Sequence, residues 1–420
     1  MKRQFGHRAR LALTPVQVRA MDDQAHAART TWNLLHDWWS MLPRDKRSLA
    51  AADAAIRQAR KEIEWLAALP AQAAQAVLKA YAQAWRNCWD GRAGEPVFKA
   101  RVRELMSVDI PQGRDLHIVR VHRRWGMVRI PLVGRVRFRW TKGLPVGKHA
   151  NQENRVTGAR LVRDALGWHI AFRVQTLELE PEEHMGPEVG IDVGVAVPLA
   201  LSDGSVYTHD EWSTKKEQAT LIRLERRAAR RKSFRKPRER TSRRLRRTYD
   251  RIQGLRARAK RRHLDWQHQT TLAIARTYGT VVVEALQVTS MVKSAKGTVD
   301  SPGRNVAQKS GLNRSIAQEA WGRTVKLLTY KTTRYGGVLY KVPAPGTSQR
   351  CSTCGHTTPG SRESQAAFVC KNPDCGWTGN ADHNASRNVL HLYRMGLAAI
   401  PAAGRAVVRR AGRVKPATAR

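Results

Sequence analysis

The chain has 420 residues, enough for several domains and a sizeable core. Its 76 Lys and Arg against 34 Asp and Glu leave a formal charge of +42. That excess is far beyond what solubility requires, and it points to a polyanion whose phosphates release counterions when neutralised. No apolar run approaches the roughly 20 residues of a membrane-spanning helix, and the basic start MKRQFGHRARLALTP lacks the apolar core of a signal peptide. No membrane is therefore expected among the partners, and a cytoplasmic, nucleic-acid-facing protein is.

Taken in chain order, Phe5, Ala9, Leu11 and Leu13 share an alternating face broken by Arg and His, the pattern of an opening strand. Thr14-Pro15-Val16-Gln17 has the form of a capping box and predicts a helix from there to about Met41. A second, Ala-rich helical block covers residues 48–89, broken at Pro70, with Trp65, Leu69, Val77, Tyr81 and Trp85 at the spacing of core side chains. Cys88, alone in this pattern, reads as inert packing. Residues 96–176 change to short strands in which Arg and His interleave with apolar residues, so one face packs and the other is cationic. They predict a small β-barrel or sheet domain that the opening strand completes.

After a linker at 181–187, EVGIDVGVAVPLALSDGSVY predicts two apolar strands around a turn at Gly194. Asp192 is the only charge inside the first of them, and an ionised carboxylate in so apolar a run is costly unless it is paired or metal-bound. Residues 221–263 hold twenty Lys and Arg against three acids, with Leu245, Tyr249, Ile252 and Ala259 on a rough helical stripe. Helices broken near Pro237 are expected there, with Arg243, Arg244, Arg246, Arg247, Arg258, Arg261 and Arg262 as nucleic-acid contacts, because so many like charges repel without a counter-polyanion. The helix should stop at Gly279, and TVVVEALQV follows as a strand ending in Glu284. Residues 289–311 read as a mobile loop, 312–336 as one amphipathic helix, and VLYKVPAP as a further strand. The tail from 396 to 420 has no acidic residue and reads as disordered.

The stretch 347–390 supplies two thiol knuckles, Cys351 with Cys354 and Cys370 with Cys375, which together use four of the five cysteines. Two short Cys hairpins at this separation can close a tetrahedral zinc shell, and four Cys ligands leave no open position, so the zinc is structural and catalysis lies beside it. Gly379-Asn380 can turn the chain out of the ribbon into a helix that begins at Asp382. Asp192, Glu284 and Asp382 then suit a ribonuclease H type of fold, in which a mixed sheet gathers such acids around two Mg²⁺ ions for phosphodiester hydrolysis. No phosphate-cradling loop, dinucleotide fingerprint or nucleophile elbow offers a competing site.

GIDVGVAVPLALSDG, VVVEAL, LNRSIAQEAWG, TSQRCSTCGH and NADHNASRNVL together resemble the RuvC-type nuclease domain of the transposon-encoded TnpB proteins and of their descendants, the small type V CRISPR effectors. The first half agrees more loosely, through its opening strand, the TPVQ helix and the basic strands. The resemblance implies a multidomain α+β protein. Its parts would be a β-barrel wedge domain (1–13 and 96–180), an inserted helical recognition region (14–95), a RuvC-like α/β nuclease domain (187–346 and 380–395) and a four-cysteine zinc-ribbon insertion that binds target nucleic acid (347–379). It also implies that Asp192, Glu284 and Asp382 are the catalytic acids and that Cys351, Cys354, Cys370 and Cys375 bind zinc, although CysLysAsnProAspCys is two residues longer than the commonest second knuckle. The activity implied is that of an RNA-guided DNA endonuclease, prokaryotic and nucleoid-associated, with one protein per guide RNA and double-stranded DNA as target. A miniature CRISPR effector, a strand-transferring transposase and a nuclease-inactive RNA-guided repressor are the alternatives.

Overall fold

The computed structural model describes residues 2–43, 46–100, 106–236, 239–298 and 301–397, so Pro237 and most of the basic tail lie outside the described residues. The chain divides into two compact units, one of Met1–Leu179 with Arg226–Ala257, the other of Glu180–Glu225 with Arg258–Arg420.

In the first unit β1 (Lys2–Ala12) leads into α1 (Pro15–Met41). The capping box forms: Thr14 Oγ1 accepts from the Gln17 N–H, and Gln17 Oε1 accepts from the Thr14 N–H. Ser48 caps α2 (Leu49–Glu62), and at Ile63 the chain tightens into a 3-10 turn before α3 (Ala71–Trp89). The tightening corrects the helical reading of Trp65. With three residues per turn, Leu66 swings inward to 1% exposure and Trp65 is left 54% exposed. Leu69 and Tyr81 do enter the core.

Strands β2 (Ser107–Ile110), β3 (Val119–His122), β4 (Trp125–Ile130), β5 (Gly134–Arg139), β6 (Arg155–Asp164) and β7 (Gly167–Leu177) join β1 in one antiparallel sheet ordered β2-β6-β7-β1-β5-β4-β3. β1 is shared, with Lys2 to Arg10 on β7 and Leu11 and Ala12 on β5. Among the described residues the ladder ends at β2 and β3 without closing, so of the barrel and sheet expectations the open sheet is the one observed. Alternation puts Ile130, Phe138, Leu161, Ile170 and Phe172 on the inner face, in one core with Met21, Trp32, Leu35 and Tyr81 of the helices.

The second unit holds a mixed five-stranded sheet made of β8 (Glu188–Asp192), β9 (Leu199–Leu201), β10 (Val206–Tyr207), β11 (Thr280–Glu284) and β12 (Val338–Val342), ordered β10-β9-β8-β11-β12. β8, β11 and β12 run parallel, while β9 and β10 pair antiparallel. The β-branched run Val281-Val282-Val283 is buried throughout because the sheet is covered on both faces. Val281 and Val283 pack with Ile274 and Leu328, whereas Val282 packs with Val389 and Leu390.

The basic run forms α4 (Lys215–Ser233) and α5 (Arg243–Thr277), with Leu245 and Ile252 buried as the stripe requires. Beyond β11 come α6 (Val288–Met291), α7 (Val306–Glu319) and α8 (Trp321–Arg334), so the irregular stretch is shorter than the loop expected over 289–311. The single helix expected over 312–336 is two helices. Ala320 sits in the left-handed region at φ 50°, while Glu319 is held by His209 Nε2 at 3.1 Å and the Trp321 indole donates to the Gly194 carbonyl at 3.2 Å. Tertiary anchors on both sides thus hold the break against local helix propensity. The hairpin β13 (Ala367–Val369) with β14 (Thr378–Asn380) precedes α9 (Ala381–Arg394).

α9 lies directly on β8 at Gly190. A Cβ there would stand 2.2 Å from the Ser386 carbonyl oxygen and 2.7 Å from the Leu390 nitrogen, both backbone atoms that cannot turn aside. Gly190→Val should therefore cost about 1–3 kcal/mol or more, read as a lowered midpoint in thermal or denaturant unfolding. An unchanged midpoint would show that α9 is not seated as described.

Candidate active site and metal centre

The parallel register that pairs Val283 with Ile191 carries Glu284 and Asp192 to neighbouring strand ends. Asp382 reaches them from the first turn of α9, and the cap of that helix is not Asp382 itself but Asn380, whose Oδ1 accepts from the Asp382 and His383 N–H groups at 3.0 Å each. Burial pushes the Asp192 carboxyl up to about 7, and the charges of Glu284 and then Asp382 push in the same direction. Glu284 is raised by burial too, against the pull of the Thr347 hydroxyl that donates to it. The structure therefore brings together all three acids named from the sequence. Among the described residues the group of metal-ligating side chains gathered closely enough to hold one ion is the cysteine cluster.

A fourth member was missed. Arg362 donates from Nη2 to Asp382 Oδ1 at 2.8 Å, and its charge also lowers the Asp192 pKa. Its own hairpin steadies the guanidinium, through the Ser364 carbonyl at 3.3 Å and the Gln365 carbonyl at 2.9 Å. In so basic a sequence one arginine carries no distinguishing signal.

The four thiols converge as well. Cys351 and Cys375 sulfurs lie 3.9 Å apart, Cys354 and Cys370 sulfurs 3.6 Å apart, and all four fall within 4.8 Å of one another. Zinc–sulfur bonds of about 2.3 Å in a tetrahedron would set sulfurs about 3.8 Å apart, so the donor set fits such an ion. The His356 N–H leads the effects that draw the Cys354 thiol down to about 6, while Cys370 is pushed up to about 12 and Cys375 is raised as well, because crowded sulfurs share their protons. Phe368, Ala381 and Trp377 pack around the cluster. Asn384 and Asn388 of α9, also missed, are fully buried and donate to the Arg350 carbonyl at 2.7 and 2.6 Å, which fixes the first knuckle to the helix that bears Asp382.

The seven arginines proposed for nucleic acid divide. Arg243, Arg244, Arg246 and Arg247 are exposed on α5, whereas Arg261 is half-buried. Arg262 and Arg258 pair with Glu217 at 2.6 and 3.7 Å, the former holding that carboxyl down to about 2. Part of the charge thus serves the fold.

The raised Asp192 pKa has a thermodynamic sign. Between its ordinary value of 3.8 and about 7 the folded chain holds a proton that the unfolded chain has lost, so stability falls as pH rises through that window. Asp192→Asn should flatten this slope in chelator-treated protein and raise the melting temperature at pH 8. An unchanged slope would contradict the burial of Asp192 beside the other acids.

A family model described as "Cas12f1-like, TNB domain" matches residues 321–389, and OrfB_IS605, described as "Probable transposase", matches residues 169–295. A protein of Escherichia coli (strain K12) named "Putative RNA-guided DNA endonuclease InsQ" is 34% identical over 330 residues, 78% of this chain and 76% of InsQ. The CRISPR-associated endodeoxyribonuclease Cas12f1 of Sulfoacidibacillus thermotolerans is 44% identical over 62 residues, 15% of this chain and 14% of its own. A cryo-EM structure of a Cas12f1–sgRNA–target DNA complex covers 90% of this chain and 83% of its own with a TM-score of 0.51 at 14% identity, a likeness of fold. No helix among the described residues is long and apolar enough to cross a membrane. With an InsQ match of that extent and identity, the chain belongs to the TnpB family, within the OrfB_IS605 group.

Proposed function

We propose that this protein is the RNA-guided DNA endonuclease of a transposable element. It pairs a guide RNA with double-stranded DNA beside a short motif and cuts both strands at one site. The observation that carries this reading is the convergence of Asp192, Glu284 and Asp382 at strand and helix ends, where burial first, and then the charges of Glu284 and Asp382, push the Asp192 carboxyl up to about 7. Three antiparallel strands followed by two parallel ones support a ribonuclease H or RuvC type of nuclease domain. InsQ, named for this activity, matches across most of its length, whereas the CRISPR-associated Cas12f1 matches over 14% of its own, which favours the transposon setting.

Two Mg²⁺ ions held by Asp192, Glu284 and Asp382 would supply water activation and stabilisation of the leaving oxygen. Arg362, kept in place by its hairpin carbonyls, would hold a positive charge where phosphate oxygens arrive. Zinc bound by Cys351, Cys354, Cys370 and Cys375 would brace the ribbon inserted before α9. The open sheet and helices of the first unit would serve as wedge and recognition regions. Arg243, Arg244, Arg246 and Arg247 would grip phosphates, with Arg258, Arg261 and Arg262 adding to the local field. Sequence choice would lie with the guide, one RNA per protein.

Asp192→Ala should reduce cleavage of a guide-matched target by at least about a thousandfold while guide and target binding stay within a fewfold; persistent cleavage would overturn the active-site assignment. Elemental analysis of the purified protein should find one zinc per chain. Cys370→Ser should lose that zinc and lower the melting temperature, whereas a metal-free wild type of equal stability would contradict the structural zinc.

A further inference from the structure

A cavity of about 410 Å³ opens beside Glu284, entirely within the second unit. Val193, Leu286 and Val325 give it an apolar floor, and each of these side chains remains partly exposed. Trp321, fixed through its indole bond to the Gly194 carbonyl, lines it too. Lys326 on the exposed side of α8 and Lys341 on β12 line it as well, and the one carboxylate in the lining is Glu284 itself. A bare phosphate would waste the apolar floor, and an apolar peptide would leave both ammonium groups unmatched. A duplex would present stacked base pairs to a space of single-nucleotide size. An unstacked base with its phosphate matches floor and lysines together.

We propose that this cavity receives the nucleobase of one nucleotide adjoining the scissile phosphate, with Lys326 and Lys341 on its phosphate, so that this base is drawn out of the stack. The proposal rests on the reading of Asp192, Glu284 and Asp382 as the cutting site. It assigns that site a subsite that positions the strand by the face of a base without reading its edges.

The test scans single abasic positions across the cut site of an oligodeoxynucleotide target, using the guide-loaded complex. One position next to the cut should lower kcat/KM about tenfold, the scale of a lost base contact, while abasic positions farther away should change it little. Gly322→Trp fills the cavity from a helix position where an added Cβ meets nothing within 4 Å, and it should abolish the dependence on that one position. Lys326→Ala should raise KM for every oligonucleotide. A flat scan, or a positional penalty that persists in Gly322→Trp, would overturn the proposal. 2-Aminopurine placed beside the cut, in complex with the Asp192→Asn variant, separates this proposal from the reading beneath it. Its fluorescence should rise on binding, and Gly322→Trp should suppress the rise even if cleavage maps elsewhere. No rise, or one that Gly322→Trp leaves intact, would overturn the subsite independently of the chemistry.

Discussion

Burial of three carboxylates gathered at the edge of an apolar sheet is the constraint on which the second unit is built. Asp192 and Glu284 are brought side by side because β8 and β11 run parallel in a fixed register, and Asp382 joins them because α9 lies against β8 over Gly190. Such a group costs stability: burial first, and then the charges of Glu284 and Asp382, push the Asp192 carboxyl up to about 7. Packing on both faces of the sheet, by Ile274 and Leu328 on one side and Val389 and Leu390 on the other, offsets that cost and keeps the acids from moving apart. Stability given up locally is the trade expected where function requires concentrated charge.

The cysteine ribbon belongs to the same design. Asn384 and Asn388 tie its first knuckle to α9, and Arg362 from its hairpin sets a guanidinium on Asp382. A distortion of the thiol cluster would thus reach Asp382 through two routes, one along the helix and one through the arginine. A structural metal in this position would act on catalysis without touching substrate, as a brace for the helix start and for the positive charge beside it.

Much of this was legible in the sequence because burying charge is expensive. A carboxylate in GIDVGV and another closing VVVE stand out against apolar neighbours, and the paired thiols in 351–375 keep the spacing that a tetrahedral metal shell demands. The capping box at Thr14 was equally plain, since its signal is local. What escaped depends on distant contacts. Trp65 points outward because a 3-10 turn intervenes, and Ala320 breaks a helix because Glu319 and Trp321 are held from elsewhere. Glu217 takes up Arg262 and Arg258 from another helix, so the run of like charge overstated what remains for a ligand. Arg362 is one of 76 basic residues, and only its place beside Asp382 distinguishes it.

The central claim is that Asp192, Glu284 and Asp382 form one cation site with room for two ions. Anomalous diffraction from crystals of the guide-bound protein soaked in Mn²⁺ tests it most directly. Two peaks about 4 Å apart among these carboxylates, lost in Asp192→Ala, are the expected result. The absence of manganese there, with ordered density for all three side chains, would contradict it.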